Sequence, residues 1–202
     1  MFNYIKVISN IFKNYKFYSF VVLLYEVYFL LIHGSKYNRF KYLNSNFLSD
    51  SIPCPFFFLN KINKFIFNKK INIICDLGSG YGKILYFFAN ILKKNIHGIE
   101  LEEKIYKQSL SLRSSKVRIF NEDILKFKIK KNYYDLFILN DPLKNPKDLL
   151  KLVLRIKKKY KNVLLIFINL DYNKQNLVFK HLKIQNRFIV SKNKNIFFCK
   201  IK

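Results

Sequence analysis

From residue 71 onward, short apolar runs alternate with amphipathic segments, and this alternation restricts the possible folds more than any other feature. The apolar runs predict buried strands, because strands covered on both faces are apolar throughout; they lie at 71–76, 95–100, 116–120, 133–139 and 162–168. Segments with apolar residues at helical spacing lie between or after them, at 82–94, 101–112, 146–160 and 173–184. Residues 187–191 and 196–201 flank a Lys-Asn-Lys-Asn turn and predict a β-hairpin.

Strands that alternate with helices form parallel sheets with right-handed crossovers. We therefore predict an α/β fold with a Rossmann-like, doubly wound, mostly parallel seven-stranded sheet and a C-terminal antiparallel hairpin. Half of the 202 residues are apolar, which is enough material for a packed core. We assign residues 51–202 to this domain and residues 1–50 to an N-terminal hydrophobic helical extension and connector.

Residues 17–32 are apolar except for Ser19 and Glu26 and predict an N-terminal helix. The segment is shorter than the roughly 20 residues of a membrane span, and a central Glu opposes insertion. One interpretation is a helix that packs on the domain. The other is contact with a membrane, helped by the lysines that precede the segment. We expect a cytoplasmic protein, which under the second interpretation associates with the inner face of a membrane.

The chain carries 38 basic and 12 acidic residues, a formal net charge of +26. Such a charge is typical of binding to nucleic acid or to an anionic membrane. Only five of the basic residues are Arg, however, and nucleic-acid surfaces favour Arg for bidentate contacts. Lys, Asn, Ile, Phe and Tyr, all with A/T-rich codons, are abundant, so we attribute most of the charge to codon composition. The Cys and His residues lack metal-ligand spacing, and we expect no metal site.

A glycine-rich loop connects the first predicted strand to the first predicted helix. It reads Asp76-Leu77-Gly78-Ser79-Gly80-Tyr81-Gly82, and it holds three of the five glycines of the chain. Glycine permits a tight turn and lets a ligand lie against the backbone, while the helix that follows offers free N–H groups. This concentration of glycine indicates a ligand-binding loop.

Two further acids follow the next predicted strands. Glu100 lies twenty residues beyond Gly80, where a carboxylate accepts hydrogen bonds from the ribose hydroxyls of an adenosine. Asp123 follows the third strand, where it is suited to the adenine amino group. The loop has the spacing GxGxG rather than the GxGxxG of dinucleotide enzymes, and Asp76 before it disfavours a pyrophosphate but suits a cationic amino-acid group.

These segments resemble the motifs of the class I S-adenosylmethionine-dependent methyltransferases: CDLGSGYGK (75–83), HGIEL (97–101), NEDI (121–124) and LNDPL (139–143). The resemblance implies an enzyme that binds S-adenosylmethionine as its cofactor. It also implies the cofactor contacts: the methionine portion on Gly78, Ser79, Gly80 and Gly82, its amino group on Asp76, the ribose on Glu100 and the adenine on Asp123.

The methyl group would emerge at Asn140 and Asp141, which we assign as catalytic candidates. Amino-methylating relatives often carry (Asn/Asp)-Pro-Pro-aromatic there, whereas this chain has Leu143 in place of the ring. Residues 51–55 resemble a segment of small protein-lysine methyltransferases with a hydrophobic N-terminus. We therefore expect a protein side-chain nitrogen such as lysine as the acceptor. The alternatives are an RNA or DNA methyltransferase, and a non-catalytic cofactor-binding or membrane-associated scaffold.

Overall fold

Seven strands form one sheet in the order β3-β2-β1-β4-β5-β7-β6, in a computed structural model that describes residue 9 and residues 11–34 and 52–201. Strands β1 to β5 run parallel to one another, and β7 runs antiparallel to both β5 and β6. The expected Rossmann-like sheet with a reversed last strand is confirmed. Residues 1–8 and 35–51, and with them part of the proposed N-terminal unit, lie outside the described residues, and the domain division at residue 51 stays a prediction.

The bounds of the elements follow the chain in order. The helices are α1 (Ser19–His33), α2 (Phe56–Ile66), α3 (Lys83–Tyr86), α4 (Glu103–Ser109), α5 (Pro146–Lys159) and α6 (Tyr172–Val178). The strands are β1 (Ile73–Leu77), β2 (Asn95–Glu100), β3 (Val117–Asn121), β4 (Leu136–Asn140), β5 (Leu164–Ile168), β6 (Leu182–Ser191) and β7 (Lys194–Ile201). A 3-10 turn, Lys16–Tyr18, precedes α1, and a π-helical turn, Phe87–Ile91, continues α3.

Helix α5 shows how local sequence fixes an element. The side chain of Asn145 accepts a hydrogen bond from Lys147 N (2.9 Å), and Pro146 occupies the first turn. These are the residues that helix N-termini favour. The helix buries a stripe at helical spacing and ends with three lysines, which suit the negative end of the helix dipole.

The two faces of the sheet carry two hydrophobic clusters. Alternate residues of the central strands point to opposite sides, so Ile74 and Ile138 join one cluster while Cys75 and Phe137 join the other. Helices α1, α2 and α3 cover the first face, and α5 and α6 cover the second. The apolar runs of the sequence are thus explained by burial on both sides.

The N-terminal helix α1 packs against α2 through one buried polar contact. Glu26 Oε1 accepts from Phe56 N (2.7 Å), and Glu26 Oε2 pairs with Lys83 Nζ (2.7 Å). The polar residue in the middle of the apolar segment therefore faces the domain. Within the described ranges, no helix has both the length and the apolar character needed to cross a membrane.

Contacts with distant parts of the chain set the bounds of two helices. Helix α2 starts at Phe56, because four consecutive residues from Phe56 are buried and Glu26 Oε1 accepts from Phe56 N. The predicted helix over 173–184 ends earlier, because Leu182 pairs with Ile201 and Ile184 with Cys199 in the hairpin. In both cases a contact with a distant part of the chain decides the local structure.

Candidate functional site

The glycine loop lies at the carboxyl edge of β1. Gly78 has φ +84°, and a Cβ added there would lie 2.6 Å from the Cβ of Pro142. Gly82 has φ +86°, and its Cβ would meet the terminal methyl group of the flexible Leu112 side chain. Both positions therefore require glycine for conformation, and Gly78 requires it for space as well. The first contact also brings the loop directly against the segment that follows β4.

Asp76 lies at the end of β1, under the glycine loop. Its side chain is fully buried, and neither carboxylate oxygen has a hydrogen-bond partner among the described residues. The buried Ser79 Oγ also lacks a partner among them. Burial, and then the nearby charge of Glu100, raise the pKa of Asp76 well above its usual range. Buried acceptors of this kind are costly unless a further group satisfies them.

Glu100, at the end of β2, links the glycine loop to the next segment. Its Oε2 accepts from Gly80 N (2.8 Å) and its Oε1 accepts from Glu102 N (2.9 Å). Burial raises the pKa of Glu100, and these backbone N–H groups partly oppose the rise. Each carboxylate oxygen retains a second lone pair, which leaves acceptor capacity for ribose hydroxyls.

Asp123 follows β3 and is half-buried. Its Oδ1 accepts from Leu125 N (2.8 Å), which fixes the turn after the strand. The adjacent Asn121 donates from Nδ2 to the carbonyl oxygens of Glu100 and Leu101 (2.8 and 3.0 Å). The acids expected to contact the cofactor thus follow β1, β2 and β3, three neighbouring strands whose carboxyl ends meet at one edge of the sheet.

Asn140 is the last residue of β4, beside the loop. Its Nδ2 donates to Ile52 O (3.0 Å), and its Oδ1 accepts from Asn169 Nδ2 (2.9 Å). Asn169 directly follows β5 and has φ +60°. Its own Oδ1 is buried without a partner among the described residues. Two amides at the ends of neighbouring strands therefore hold each other in place.

Asp141 has φ +43° and is paired with a lysine. Lys174 Nζ lies 2.6 Å from Asp141 Oδ1 and 3.1 Å from Asp171 Oδ2, and its side chain is only 4% exposed. Burial raises the pKa of Asp141, although the ammonium group of Lys174 opposes the rise. The carboxylate that we expected to assist catalysis is thus held in an ion pair.

A cleft of about 440 Å³ opens beside Asn140 and Asp141. Its lining combines three kinds of side chain: amides, acids and lysines, together with one apolar residue. They are Ile52, Asn140, Asp141, Lys144, Asn169, Asp171, Lys174, Asn193 and Lys194. The cleft is adjacent to the segment where an acceptor would enter. Among the described residues, no group of three or more His, Cys, Asp or Glu side chains is arranged to hold a metal ion.

A family model described as ribosomal RNA adenine dimethylase matches residues 37–196. The chain belongs to this family. It is therefore a class I methyltransferase, a transferase that uses S-adenosylmethionine as its cofactor. No match was found among curated proteins.

Solved structures share the fold of this methyltransferase. An RNA methyltransferase from Salinibacter ruber in complex with S-adenosyl-L-homocysteine is 15% identical, with a TM-score of 0.60, and the match covers 74% of this chain and 94% of that one. The PH0226 protein from Pyrococcus horikoshii OT3 is 12% identical (TM-score 0.59; 87% and 99% covered). A ribosomal protein L11 methylase from Lactobacillus delbrueckii subsp. bulgaricus is 15% identical (TM-score 0.55; 71% and 76% covered). At these identities the likeness shows the fold alone.

The residues of the methyltransferase fit this cofactor. The carboxylate oxygens of Asp76 and the hydroxyl oxygen of Ser79 have no hydrogen-bond donor among the described residues. The amino group of S-adenosylmethionine is a donor of the kind that these oxygens lack. The close approach of Gly78 to Pro142 leaves no room for a side chain between the loop and the segment after β4. The individual cofactor contacts stay predictions for all the residues to which they were assigned: Asp76, Gly78, Ser79, Gly80, Gly82, Glu100 and Asp123.

Two residues of the methyltransferase site were not anticipated from the sequence. Asn169 follows β5 just as Asn140 follows β4, so its position at a strand end was the available signal. Lys174 gave no signal, because it lies 33 residues from Asp141 in a lysine-rich chain. Only the tertiary structure, which places α6 beside the segment after β4, brings that pair together.

Proposed function

We propose that this methyltransferase transfers a methyl group to the exocyclic amino group of adenine in RNA. The observation that carries the proposal is the match of residues 37–196 to the ribosomal RNA adenine dimethylase family. This match favours RNA over the protein lysine that residues 51–55 had suggested. The net charge of +26, which we attributed mostly to codon composition, is also compatible with a polyanionic substrate.

The cleft beside Asn140 offers groups suited to such an acceptor. Lys144 and Lys194 line it beside the Lys174–Asp141 ion pair, so its lining offers cationic groups to the phosphates of an entering nucleotide. Asn140 Oδ1 accepts one hydrogen bond from Asn169 and keeps a second lone pair. That lone pair is suited to accept from an exocyclic N–H and to orient the amino group toward the methyl donor.

The transfer is an in-line displacement, for which the bound cofactor supplies an electrophilic methyl group. A new N–C bond forms as the S–C bond breaks, the electron pair leaves with sulfur, and the nitrogen then releases a proton to solvent. Asn140 contributes by positioning the amine, which is already neutral at physiological pH. Orientation of this kind accounts for a large part of the rate in such reactions. No carboxylate base is needed, in keeping with the engagement of Asp141 in an ion pair with Lys174.

A second candidate acceptor is a protein side-chain amine. Leu143 stands where amino-methylating enzymes often have an aromatic residue, and it is only 3% exposed. It therefore offers no ring on which a planar base would stack. A flexible aliphatic amine needs no stacking surface, and this observation favours it.

The test is methyl transfer from radiolabelled S-adenosylmethionine to four acceptors: deproteinised ribosomal RNA, intact ribosomal subunits, DNA and mixed ribosomal proteins. We expect label in RNA, recovered as N6-methylated adenosine after digestion to nucleosides. Asn140→Ala should lower the rate by at least about a hundredfold, since loss of a single positioning contact costs factors of that order. Asn68→Ala, an exposed residue at the opposite edge of the sheet, is the matched control. Label in protein alone would refute RNA as the acceptor.

A further inference from the structure

The N-terminal helix carries an apolar surface on the side that faces away from the domain. We define the apolar outer face as Phe17, Phe20, Val21, Leu24, Val27, Tyr28 and Leu31, all of which are exposed. Phe17, Phe20 and Leu31 are 98%, 64% and 82% exposed. Their spacing of three and four residues places them along one side of the helix. Contiguous apolar patches of this kind mark sites of association.

The helix cannot bury this face by turning toward the core. Its opposite side already packs against the domain through Val22 and Phe29, which are buried. Glu26 fixes the rotation, because its two carboxylate oxygens bind Phe56 N and Lys83 Nζ, each at 2.7 Å. Rotation would leave both the carboxylate and the ammonium group unpaired inside the protein, which is strongly unfavourable. The outer face is therefore held outward.

The charges around the face are positive. Glu26 is the only acidic residue of the described range 11–34, and it points inward. Lys13 is exposed in the helical segment 11–15 that precedes the 3-10 turn. On the neighbouring helix α2, Lys61 lies 4.9 Å from the centre of the Phe188 ring, which contacts Tyr18 at 5.5 Å. An apolar surface with cationic neighbours, on a chain of net charge +26, is complementary to an anionic and apolar partner.

We propose that the apolar outer face docks the protein on an anionic lipid bilayer. The 15 residues of α1 extend about 22 Å, less than the roughly 30 Å of a hydrocarbon core, so the helix lies along the surface rather than across it. The apolar side chains enter the boundary between head groups and acyl chains, while lysines face the anionic head groups. This proposal does not depend on the identity of the methyl acceptor.

The experiment is flotation of the full chain with phosphatidylcholine vesicles, with and without phosphatidylserine. We expect binding to the anionic vesicles that weakens with added salt. The double variant Phe17→Ser/Leu31→Ser should bind at least about tenfold more weakly, since both side chains lose their apolar contact with the acyl chains. The matched control is Phe67→Ser/Ile184→Ser, which removes two exposed apolar residues outside the face.

Binding of S-adenosylmethionine, measured by calorimetry, should be unchanged in both double variants and shows that they are folded. The proposal is overturned if the unmodified protein does not bind anionic vesicles. It is also overturned if the two double variants bind these vesicles with equal affinity. Light scattering tests the other occupant, a second copy of this chain. A dimer that Phe17→Ser/Leu31→Ser converts to monomers, without vesicle binding, would assign the face to self-association instead.

Discussion

Replacing Gly78 by Ala tests whether the glycine loop and the segment after β4 form one unit. The new Cβ would lie 2.6 Å from Pro142 Cβ, and the residue would keep φ +84°. The left-handed conformation costs an L-residue about 1–2 kcal/mol. Overpacking against a rigid proline adds about 1–3 kcal/mol. We therefore expect the free energy of unfolding to fall by roughly 2–5 kcal/mol, the sum of these two effects.

The loop must also shift away from Pro142, which displaces the backbone that would receive the cofactor. Calorimetry should show at least about a tenfold loss of affinity for S-adenosylmethionine, equivalent to about 1.4 kcal/mol. Gly34→Ala is the control for backbone strain without a steric clash, because Gly34 has φ +74° and ψ 171° and no atom lies within 4 Å of the added Cβ. An unfolding free energy of Gly78→Ala equal to that of the original protein, or unchanged cofactor affinity in Gly78→Ala, would refute the reasoning.

Three further predictions concern buried charges. Because burial raises the pKa of Asp76, the free energy of unfolding of the cofactor-free protein should fall as pH rises above the usual Asp pKa of 3.8. Asp76→Asn should remove this pH dependence and should unfold at a higher urea concentration at neutral pH. The same variant should bind S-adenosylmethionine more weakly. Lys83→Met should cost about 3–5 kcal/mol in urea unfolding by leaving Glu26 unpaired, and adding Glu26→Gln should recover most of it. Lys174→Met should lower kcat about tenfold with little change in cofactor affinity, because Asp141 loses its ion-pair partner and the adjacent Asn140, which positions the acceptor, is held less rigidly.

Each of these three predictions has its own contradicting result. Stability that is independent of pH, or an Asp76→Asn protein no more stable than the original, would show that Asp76 carries no desolvation cost. If Glu26→Gln/Lys83→Met is no more stable than Lys83→Met, the unpaired Glu26 carboxylate is not the cause of the lost unfolding free energy. Failure of Lys174→Arg to restore activity more than Lys174→Met would show that the positive charge beside Asp141 is not what matters.

The residues expected to bind the cofactor could be predicted from the sequence because they lie at or just after the ends of strands. Asp76, Glu100 and Asp123 each come just after or at the end of an apolar run, and carboxyl ends of parallel strands share one edge. The same logic applied to Asn140. It did not apply to Lys174, which belongs to a helix and is one of many lysines, so that no local pattern distinguished it.

The sequence by itself determined the class of fold and the place of the cofactor loop. Strand and helix periodicities are local, and a GxGxG turn after a buried strand needs only its neighbours in the chain. Tertiary structure alone decided which charges meet. Glu26 and Lys83 lie 57 residues apart, and Asp141 and Lys174 lie 33 apart.

The Glu26–Lys83 pair sets the rotation of α1. The Asp141–Lys174 pair engages the carboxylate beside the acceptor cleft. Their partners are chosen by how helices pack on the sheet, because a buried charge takes whichever counter-charge the packing brings within reach. A residue pattern along the chain does not carry that information. The outward face of α1 follows for the same reason: the sequence shows a helix that is apolar on all sides, and only the inward contact of Glu26 selects the side that remains exposed.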